Sequence, residues 1–586
     1  MRNAKIVCTL GPASDSLRQI EDLVDAGMSV ARINTSHGTV EDSESLVDAV
    51  RMVDEEKQHP LATMLDLQGP EIRTVSLSEP VEFRVGDEVR FVEGPDTEAG
   101  EVGLSMDISA VEPRGRVLLD DGRIETTVVE VDGDTVVARV VSGGTIEGRK
   151  GVNVPGVDLD VDVVTEKDRR DLELAARAEV DFVAASFVRN ADDVYAVNAV
   201  LEDFGADVPI VAKIERADAV ANLEEIVDAA YGIMVARGDL GVECPMEDVP
   251  MIQKRMIRTC HEAGVPVITA TEMLDSMVHE RRPTRAEASD VANAVLDGTD
   301  AVMLSAETAV GDHPVRVVET MDRIIREVES SAEYAELREQ RIPHAGESRT
   351  DALARAARFL ARDLGASAVV VASESGYTAL KTAKYRPQVP VVASTPREPV
   401  RRQLALSWGV LPEFTPIADQ GVDVVIEMAV QGALDAGVAE SGDTVVVLSG
   451  MLSELEGSAA TNTLKVHVAA ETLATGRRVA SGRVSGPLVH SADGDLSALP
   501  DGAIMALKSS FDGEFTGELD TLAGIVDARP GMTGYPAMVA RELDIPMISG
   551  AAVDESVVDG TVVTLDAERG VLYEGEIATE SAEPDD

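Results

Sequence analysis

The sequence is poor in several residue types, and each shortage excludes a class of protein. Its three cysteines, Cys8, Cys244 and Cys260, are an odd number at scattered spacings. This excludes a disulfide framework and a cysteine metal site and fits a reducing compartment, so we interpret all three as packing residues. No run approaches the roughly 18 uncharged apolar residues of a membrane-spanning helix. The apolar segment 6–10 is too short for a secretion signal. We therefore predict a cytoplasmic protein with no membrane partner.

Positive charge is also scarce. The chain has 52 basic against 106 acidic side chains, for a net charge of −54, and only ten of the basic residues are lysines. Such a surface repels nucleic acid and anionic membranes. It also repels itself unless salt shortens the Debye length to a few ångström, as near molar salt. A halophilic source is the leading hypothesis, and a merely acidic mesophilic protein is the alternative.

Short β-branched runs alternate with amphipathic stretches of helical period, such as 17–25 and 285–296, which is the pattern of βα units. The eight predicted strands span 5–9, 29–33, 61–67, 181–186, 209–214, 231–237, 266–271 and 300–305. Eight such units make an α/β fold of the (β/α)8 TIM-barrel type, with its active site at the carboxyl ends of the strands.

Further regions interrupt and follow the barrel. Alternating strands and the turns Asp121-Gly122 and Asp132-Gly133 predict an all-β insertion on the third βα loop, well placed to act as a lid. A polar linker, 339–349, precedes a second α/β region with strands at 368–372, 389–393, 444–448 and 464–468. The predicted domains are a barrel (1–69 and 156–338), a lid (70–155), an α/β domain (345–472), a C-terminal β/α swivelling-type domain (473–580) and an acidic tail (581–586).

Polar residues cluster at the predicted carboxyl ends of the barrel strands. They are Arg32, Asn34, Ser36, Asp66, Ser186, Lys213, Glu215, Arg237, Asp239 and Thr271. Polar groups are costly in barrel strands unless they project into the site. Glu215 and Asp239 lie on neighbouring strands, so their oxygens can converge on one Mg²⁺; the alternative is that either pairs with a nearby arginine.

Lys213 lies on the same face as Glu215 and can neutralise a transferring phosphoryl group or an enolate, unless it is a structural ion pair. Gly238 lets the backbone approach a substrate carboxylate. The chain contains neither GxxxxGK[ST] nor GxGxxG, so barrel loops and the lid must bind any nucleotide.

Long motifs in order resemble the pyruvate kinase family over residues 1–472. They are KIVCTLGPAS (5–14), ARINTSHG (31–38), LDLQGPEIR (65–73), AKIE (212–215), ARGDLG (236–241) and ATEMLD (270–275). The resemblance implies phosphoryl transfer from phosphoenolpyruvate to ADP, giving pyruvate and ATP, the last step of glycolysis. It also implies dependence on Mg²⁺ (or Mn²⁺) and K⁺.

The resemblance also implies a role for each matching residue. Lys213 would stabilise the transition state, and Glu215 and Asp239 would bind Mg²⁺. Phosphoenolpyruvate would be held by Arg32, Gly238, Asp239 and Thr271, with Thr271 also on the proton path to the enolate. Asn34, Ser36, Asp66 and the carbonyl of Leu67 match the K⁺ site, and Asn34, His37, Arg73 and Lys150 match nucleotide contacts. Glu71 matches the acidic residue of potassium-dependent members.

Some positions depart from the family pattern. Thr35 replaces the usual Phe, Leu67-Gln68 replaces Thr-Lys, and Glu272 stands where Gln is common. These changes would alter nucleotide affinity and cation coordination but remove no catalytic group.

A second loop is a candidate effector site. Ser373, Ser375, Gly376 and Thr378 lie at a strand-to-helix turn that suits a phosphate or, equally, a plain helix cap. Glu374 stands where sugar-phosphate-activated relatives place Lys, and a carboxylate there would repel phosphate. We therefore do not expect activation by fructose 1,6-bisphosphate.

The C-terminal region resembles the swivelling phosphohistidine domain of enzymes that use phosphoenolpyruvate. The match is ARPGMTGYPAMVARELDIP (528–546) with GVLYEG (570–575). The family pattern reads Thr-Ser-His where this chain has Thr533, Gly534 and Tyr535. Without the imidazole no phosphoramidate can form, so we predict a catalytically silent domain.

Two alternative functions remain open at this point. A carbon-carbon lyase on a related barrel could use the same Lys213, Glu215 and Asp239 on a metal-bound enolate, but the lid and the cation residues argue against it. A non-catalytic scaffold is disfavoured by the complete set of site residues. Relatives form tetramers, so a homotetramer is the expected assembly.

Overall fold

The structure is a computed structural model that describes residues 2–57, 60–76, 80–94, 101–146, 148–157, 161–416, 422–450, 461–497 and 499–577. Contacts divide the chain into two compact units. The first consists of Met1–Gly346, Ser375–Arg386 and Arg397–Pro412, and the second of Glu347–Glu374, Pro387–Pro396 and Glu413–Asp586. Among the described helices, none has both the length and the apolar character needed to cross a membrane.

The first unit begins with three parallel strands and two helices. Their bounds are β1 (Lys5–Thr9), α1 (Leu17–Ala26), β2 (Val30–Asn34), α2 (Val40–Glu56) and β3 (Ala62–Asp66). Nearly every residue of these strands is buried, as expected for strands covered on both faces. A capping box formed by Thr39 and Asp42 starts α2.

The insertion after β3 is entirely β within the described residues. Its strands are β4 (Val81–Phe83), β5 (Glu88–Glu93), β6 (Glu101–Leu104), β7 (Arg116–Leu119), β8 (Ile124–Asp132), β9 (Thr135–Ser142), β10 (Gly144–Ile146) and β11 (Val152–Asn153). They form a six-stranded sheet in the order β11-β7-β8-β9-β5-β6 and a β10-β4 pair. Asp132 pairs with Thr135, so the predicted turn at Gly133 joins β8 to β9. This confirms the all-β insertion.

The barrel resumes after the insertion. Its elements are α3 (Glu166–Arg177), β12 (Phe182–Ala185), α4 (Ala191–Asp203), β13 (Ile210–Ile214), α5 (Ala217–Ala221), α6 (Leu223–Ala229), β14 (Gly232–Ala236), α7 (Arg237–Glu243), α8 (Val249–Ala263), β15 (Val267–Ala270), a 3₁₀ turn (Asp275–Val278), α9 (Arg285–Asp297), β16 (Ala301–Leu304), α10 (Ala306–Ala309), α11 (Pro314–Glu329) and α12 (Ala332–Gln340). The strands close in the order β1-β16-β15-β14-β13-β12-β3-β2, all parallel. The predicted (β/α)8 barrel is confirmed, with each strand end within one residue of its predicted position.

The second α/β region has five strands. Its elements are α13 (Arg349–Asp363), β17 (Ala368–Ala372), α14 (Tyr377–Lys384), β18 (Val391–Thr395), α15 (Glu398–Leu404), β19 (Val410–Phe414), α16 (Val422–Asp435), β20 (Thr444–Gly450) and β21 (Thr461–Val468). The sheet order is β19-β18-β17-β20-β21, and only β20 and β21 are antiparallel among the pairs with a described register.

Several details differ from the sequence-based expectation, among them β21, which begins at Thr461 and not at Leu464. The strand predicted at 389–393 lies at Val391–Thr395, because Pro390 has no N–H to donate to a neighbouring strand. β19 was not predicted, since Pro412 and Glu413 interrupt its apolar pattern. Within the predicted linker 339–349, α12 continues to Gln340 and α13 begins at Arg349.

The C-terminal region forms an eight-stranded sheet. Its elements are β22 (Thr472–Thr475), β23 (Arg477–Ala480), β24 (Arg483–Ser491), β25 (Ala503–Leu507), a 3₁₀ turn (Leu519–Thr521), β26 (Leu522–Asp527), α17 (Tyr535–Glu542), β27 (Met547–Ser549), β28 (Val562–Asp566) and β29 (Val571–Glu574). The strand order is β22-β29-β28-β24-β25-β26-β27-β23. The acidic tail predicted at 581–586 lies outside the described residues.

Candidate active site

A chain of alternating charges lies at the carboxyl ends of the barrel strands. Arg32 Nε is 2.6 Å from Asp66 Oδ2, and Lys213 Nζ is 3.3 Å from Asp66 Oδ1. Lys213 Nζ is also 2.7 Å from Glu215 Oε1. These four side chains come from the ends of β2, β3 and β13, so the barrel itself brings the predicted residues together.

Burial makes this pairing necessary. Asp66 is fully buried, and a buried carboxylate is tolerated only when it is paired. Burial alone would raise the pKa of Asp66, but Arg32 and Lys213 outweigh it and hold that pKa below its usual range. Burial would likewise lower the pKa of Lys213, but Asp66 and Glu215 raise it. Lys213 is therefore a permanent ammonium group in the site.

Two further carboxyl groups are buried without enough positive charge nearby to offset the effect of burial on their pKa values. Burial raises the pKa of Glu215 to about 7; Lys213 opposes this shift and Asp239 adds to it. Burial also raises the pKa of Asp239, with Lys213 opposing and Asp121 and Glu71 adding. Excess negative charge at this point suits a divalent cation. No group of three or more His, Cys, Asp or Glu that could hold a metal occurs among the described residues. The Glu215 and Asp239 carboxylates fit Mg²⁺, which takes one or two protein carboxylates and fills its shell with water and substrate oxygens.

The turn after β12 holds both Lys213 and Glu215. Ser186 Oγ accepts a hydrogen bond from Lys213 Nζ at 2.7 Å and donates one to the carbonyl of Leu67 at 2.7 Å. The amide N–H of Phe187 donates to Glu215 Oε2 at 2.8 Å. Both oxygens of the Glu215 carboxylate are thus engaged, one by an ammonium and one by a backbone amide.

These groups face a cavity between the barrel mouth and the insertion. Of the candidate residues, those lining it are Arg32, Asn34, Ser36, Ser186, Lys213, Glu215 and Asp239. The insertion contributes Glu71, Asp121, Gly151, Val152 and Asn153 to the same cavity. The candidate side chains and the insertion therefore line one polar space.

Gly238 and Thr271 lie beside each other at the ends of β14 and β15. The N–H of Gly238 donates to Thr271 Oγ1 at 2.7 Å, and this hydroxyl donates to the carbonyl of Ala270 at 2.8 Å. Thr271 has a φ of 66°, a rare conformation for a β-branched residue. The substrate-facing amide expected at Gly238 thus has an intramolecular acceptor in this arrangement.

Arg237 does not join the cluster. Its guanidinium donates to the carbonyls of Ala270 and Thr271 and pairs with Asp290 at 2.6 Å. It fixes the β15 end rather than facing the cavity.

The predicted monovalent-cation residues lie close to the cluster. Asn34 Oδ1 accepts the N–H of Ser36 at 3.1 Å, and both side chains line the cavity. Asp66 and the carbonyl of Leu67 already carry the Arg32, Lys213 and Ser186 contacts. Thr35, where the family has Phe, is buried, and its N–H and hydroxyl both donate to the carbonyl of Asp66.

The predicted nucleotide contacts separate into two places. His37 lines a neighbouring cavity of about 760 Å³ together with Arg32 and Asn34. Arg73 and Lys150 lie on the insertion in ion pairs, with Glu71 at 2.7 Å and Asp120 at 2.9 Å. His37 is thus close to the charged cluster, whereas Arg73 and Lys150 form ion pairs with acidic residues of the insertion.

The effector-loop candidates lie between β17 and α14. The N–H of Ser373 donates to the carbonyl of Ser394, and the N–H of Tyr377 donates to Ser375 Oγ at 3.4 Å. Gly376 has a φ of 77° and precedes the helix, and Thr378 is buried. Glu374 is exposed. The cysteines contribute nothing to the site: Cys8 and Cys260 are buried and Cys244 is half-buried.

Sequence reasoning gave no site role to five residues that line the main cavity: Asp121, Gly151, Val152, Asn153 and Phe187. Asp121 was interpreted only as part of a turn, although it raises the pKa of Asp239. Phe187 acts through its backbone, which leaves no residue-type signal. The insertion residues needed a three-dimensional fold to be placed over the barrel.

Comparison with known proteins identifies three matching regions. Residues 1–318 match "Pyruvate kinase, barrel domain", 351–467 match "Pyruvate kinase, alpha/beta domain", and 499–570 match "PEP-utilising enzyme, mobile domain". A pyruvate kinase of Sporosarcina psychrophila is 40% identical over 586 residues, covering 98% of this chain and 99% of that protein. A Geobacillus stearothermophilus pyruvate kinase is 40% identical over 585 residues with the same coverages. A Staphylococcus aureus (strain MRSA252) pyruvate kinase is 39% identical over 584 residues, again covering 98% and 99%.

Proposed function

The chain belongs to the pyruvate kinase family, and on that premise we propose that it transfers the phosphoryl group of phosphoenolpyruvate to ADP, giving pyruvate and ATP. One observation carries the proposal. The alternating Arg32, Asp66, Lys213 and Glu215 chain ends beside Asp239 in the cavity under the insertion. Phosphoryl transfer requires positioning and charge neutralisation. A fixed ammonium group supplies positive charge, and two neighbouring carboxylates can hold a divalent cation.

We propose that Glu215 and Asp239 hold Mg²⁺ or Mn²⁺, and that Asn34, Ser36, Asp66 and the carbonyl of Leu67 hold K⁺. A divalent ion bound there would neutralise phosphoryl oxygens and the developing enolate. The raised pKa values of Glu215 and Asp239 support this, because a cation would stabilise the charged carboxylates that burial and, second to it, neighbouring acids disfavour.

The chain's own residues supply the remaining functions. Lys213, fixed between Asp66, Glu215 and Ser186, presents its ammonium to the transferring group. Arg32, with Gly238, Asp239 and Thr271, binds phosphoenolpyruvate. The Thr271 hydroxyl, whose proton is held by the carbonyl of Ala270, lies on the proton path to the enolate. His37, Arg73, Lys150 and Asn34 bind the nucleotide, and the insertion excludes water from the cavity.

The proposed function is tested by replacing Lys213, which removes its ammonium group. Lys213→Met keeps most of the side-chain volume and removes the charge, so ADP-dependent pyruvate formation should fall by about 10³-fold or more, on the scale of lost electrostatic stabilisation. Lys57→Met, which removes an exposed pair with Asp25, should leave the rate unchanged. Aldol cleavage by wild-type protein without ADP-dependent pyruvate formation would instead favour the lyase.

Other features of the protein are part of the same proposal. We propose a halophilic source, a cytoplasmic location, a homotetramer and the domain boundaries given above. The position of the family's phosphohistidine is Tyr535, the first residue of α17, which supports a silent C-terminal domain. Exposed Glu374 supports the absence of activation by fructose 1,6-bisphosphate, and any effector bound near Ser373, Ser375, Gly376 and Thr378 has a different chemistry.

A further inference from the structure

The chain turns sharply where β12 ends. Phe187 has a φ of 58°, in the left-handed region that a residue with a Cβ atom disfavours. This φ sets the angle between the side chain of Phe187 and its own N–H. That N–H donates to Glu215 Oε2 at 2.8 Å.

This N–H holds the Glu215 carboxylate on the side away from Lys213. Lys213 Nζ contacts Oε1 at 2.7 Å, and the Phe187 amide contacts Oε2. A charge-assisted bond from a fixed backbone donor sets the orientation of a carboxylate more strictly than a flexible side chain does. The direction in which Glu215 presents its oxygens therefore depends on the backbone of Phe187.

The ring of Phe187 explains how the turn is maintained. It lines a small pocket with Ile72, Val152 and Val154 of the insertion and Val163 of the barrel. A Cβ added at Gly69 would lie 2.9 Å from Phe187 Cδ2, so the ring packs directly against the residue where the chain leaves the barrel. Phe187 also lines the main cavity. It thus connects the root of the insertion with the Glu215 carboxylate.

We propose that Phe187 is a positioning residue for phosphoryl transfer. Its ring, packed at the root of the insertion, maintains the left-handed turn that presents the amide to Glu215. The inference rests on the proposed function, in which Glu215 is a ligand of the divalent cation. Metal affinity then depends on a ring at the root of the insertion and not on the ligand side chains alone.

The experiment measures Mn²⁺ binding to the full chain by electron paramagnetic resonance, without phosphoenolpyruvate or ADP. Phe187→Ala removes the ring but keeps the Cβ that disfavours the turn. Its Mn²⁺ dissociation constant should rise about 10- to 100-fold, the usual effect of losing support for a metal ligand. In turnover assays kcat should fall and the KM for Mn²⁺ rise, while the KM for ADP stays the same.

Three further variants separate positioning from general packing. Phe187→Leu retains an apolar anchor and should bind Mn²⁺ within about threefold of wild type. Phe187→Gly lacks the ring but adopts the left-handed conformation without strain, so it should bind Mn²⁺ more tightly than Phe187→Ala. Phe204→Ala removes a half-buried ring that packs under Arg169 on the same barrel, and its Mn²⁺ affinity should not change.

The outcomes are distinguishable. Phe187→Ala with Mn²⁺ affinity within twofold of wild type overturns the inference. So does Phe187→Gly binding Mn²⁺ more weakly than Phe187→Ala, or a loss of affinity in Phe187→Leu or Phe204→Ala as large as that in Phe187→Ala. If Phe187→Ala does not fold, Phe187→Gly and Phe187→Leu decide: Phe187→Gly, which lacks the anchoring ring, should bind Mn²⁺ more weakly than Phe187→Leu, and equal affinities overturn the inference. Wild-type protein that neither binds Mn²⁺ nor forms pyruvate from phosphoenolpyruvate refutes the proposed function itself.

Discussion

Asp181 provides a sharp test of how the barrel is stabilised apart from its chemistry. It lies just before β12, at the end of the strand opposite to Ser186 and Phe187, and its side chain is fully buried. Arg51 and Arg402 each donate to it at 2.9 Å, and Thr63 donates through its N–H at 2.8 Å and its hydroxyl at 2.9 Å. We predict that Asp181→Asn lowers stability and leaves activity unchanged.

The size of the stability loss depends on the contacts that Arg51 and Arg402 keep in Asp181→Asn. Removing one partner of a buried ion pair costs about 3–5 kcal/mol. Arg51 keeps a bond to the carbonyl of Glu179 at 2.7 Å, and Arg402 remains 3.8 Å from Asp54, so the lower end applies. At about 1.3 °C per kcal/mol for a unit of this size, the thermal midpoint should fall by about 4 °C.

Scanning calorimetry at molar KCl measures the effect, together with kcat at 25 °C. Asp203→Asn breaks the exposed pair with Arg169, which is 3.4 Å long, and should shift the midpoint by less than about 1 °C. A fall of under about 2 °C in Asp181→Asn would show that the buried charges contribute little. A several-fold loss of kcat would show that this end of the barrel is not separate from the chemistry.

Three other predictions follow. Burial, with Arg386 adding, lowers the pKa of His261 to about 3, so between pH 6.5 and 3 the unfolded state binds a proton that the folded state does not. The free energy of unfolding should therefore decrease as the pH is lowered through that window. Denaturant titration at each pH should show a smaller decrease in His261→Asn than in the exposed control His279→Asn. Dialysis from molar KCl into about 0.01 M salt, where the Debye length is about 30 Å, should unfold the chain by circular dichroism, and a fully folded protein there would contradict the halophilic proposal. Incubation of the full chain with ³²P-labelled phosphoenolpyruvate and no ADP should leave no acid-labile label on the protein, and stable labelling would contradict a silent C-terminal domain.

The fold was largely predictable because the barrel strands are buried on both faces and carry polar residues at one end. That pattern located all eight barrel strands and predicted that Arg32, Asp66, Lys213 and Glu215 lie at the same end of the barrel. β19 escaped prediction because Pro412 and Glu413 break its apolar run. A local hydrophobic pattern reveals a strand through its buried residues, and a short strand with mixed burial has too few of them to be recognised.

The site was predictable only as far as side-chain chemistry reveals it. Arg237 has the right type and position, yet its guanidinium turns to Asp290 and backbone carbonyls. Phe187 has an unremarkable type, yet its amide holds Glu215. Asp121 reaches the cavity because of how the insertion packs on the barrel. Backbone donors and contacts between distant segments depend on tertiary structure, which residue spacing does not encode.

The insertion also bears on how the chain folds. β3 and β12 are adjacent in the barrel, yet the whole insertion separates Asp66 from Phe182 along the chain. Closing so long a loop costs conformational entropy, and each halving of its effective length saves about 0.6 kcal/mol. An insertion that folds first, around its own core of Phe83, Phe91 and Val117, would draw residues 69 and 156 together and shorten that loop. Barrel closure would then be rapid only after the appended sheet has formed, and a nascent chain lacking it would expose the edges of β3 and β12.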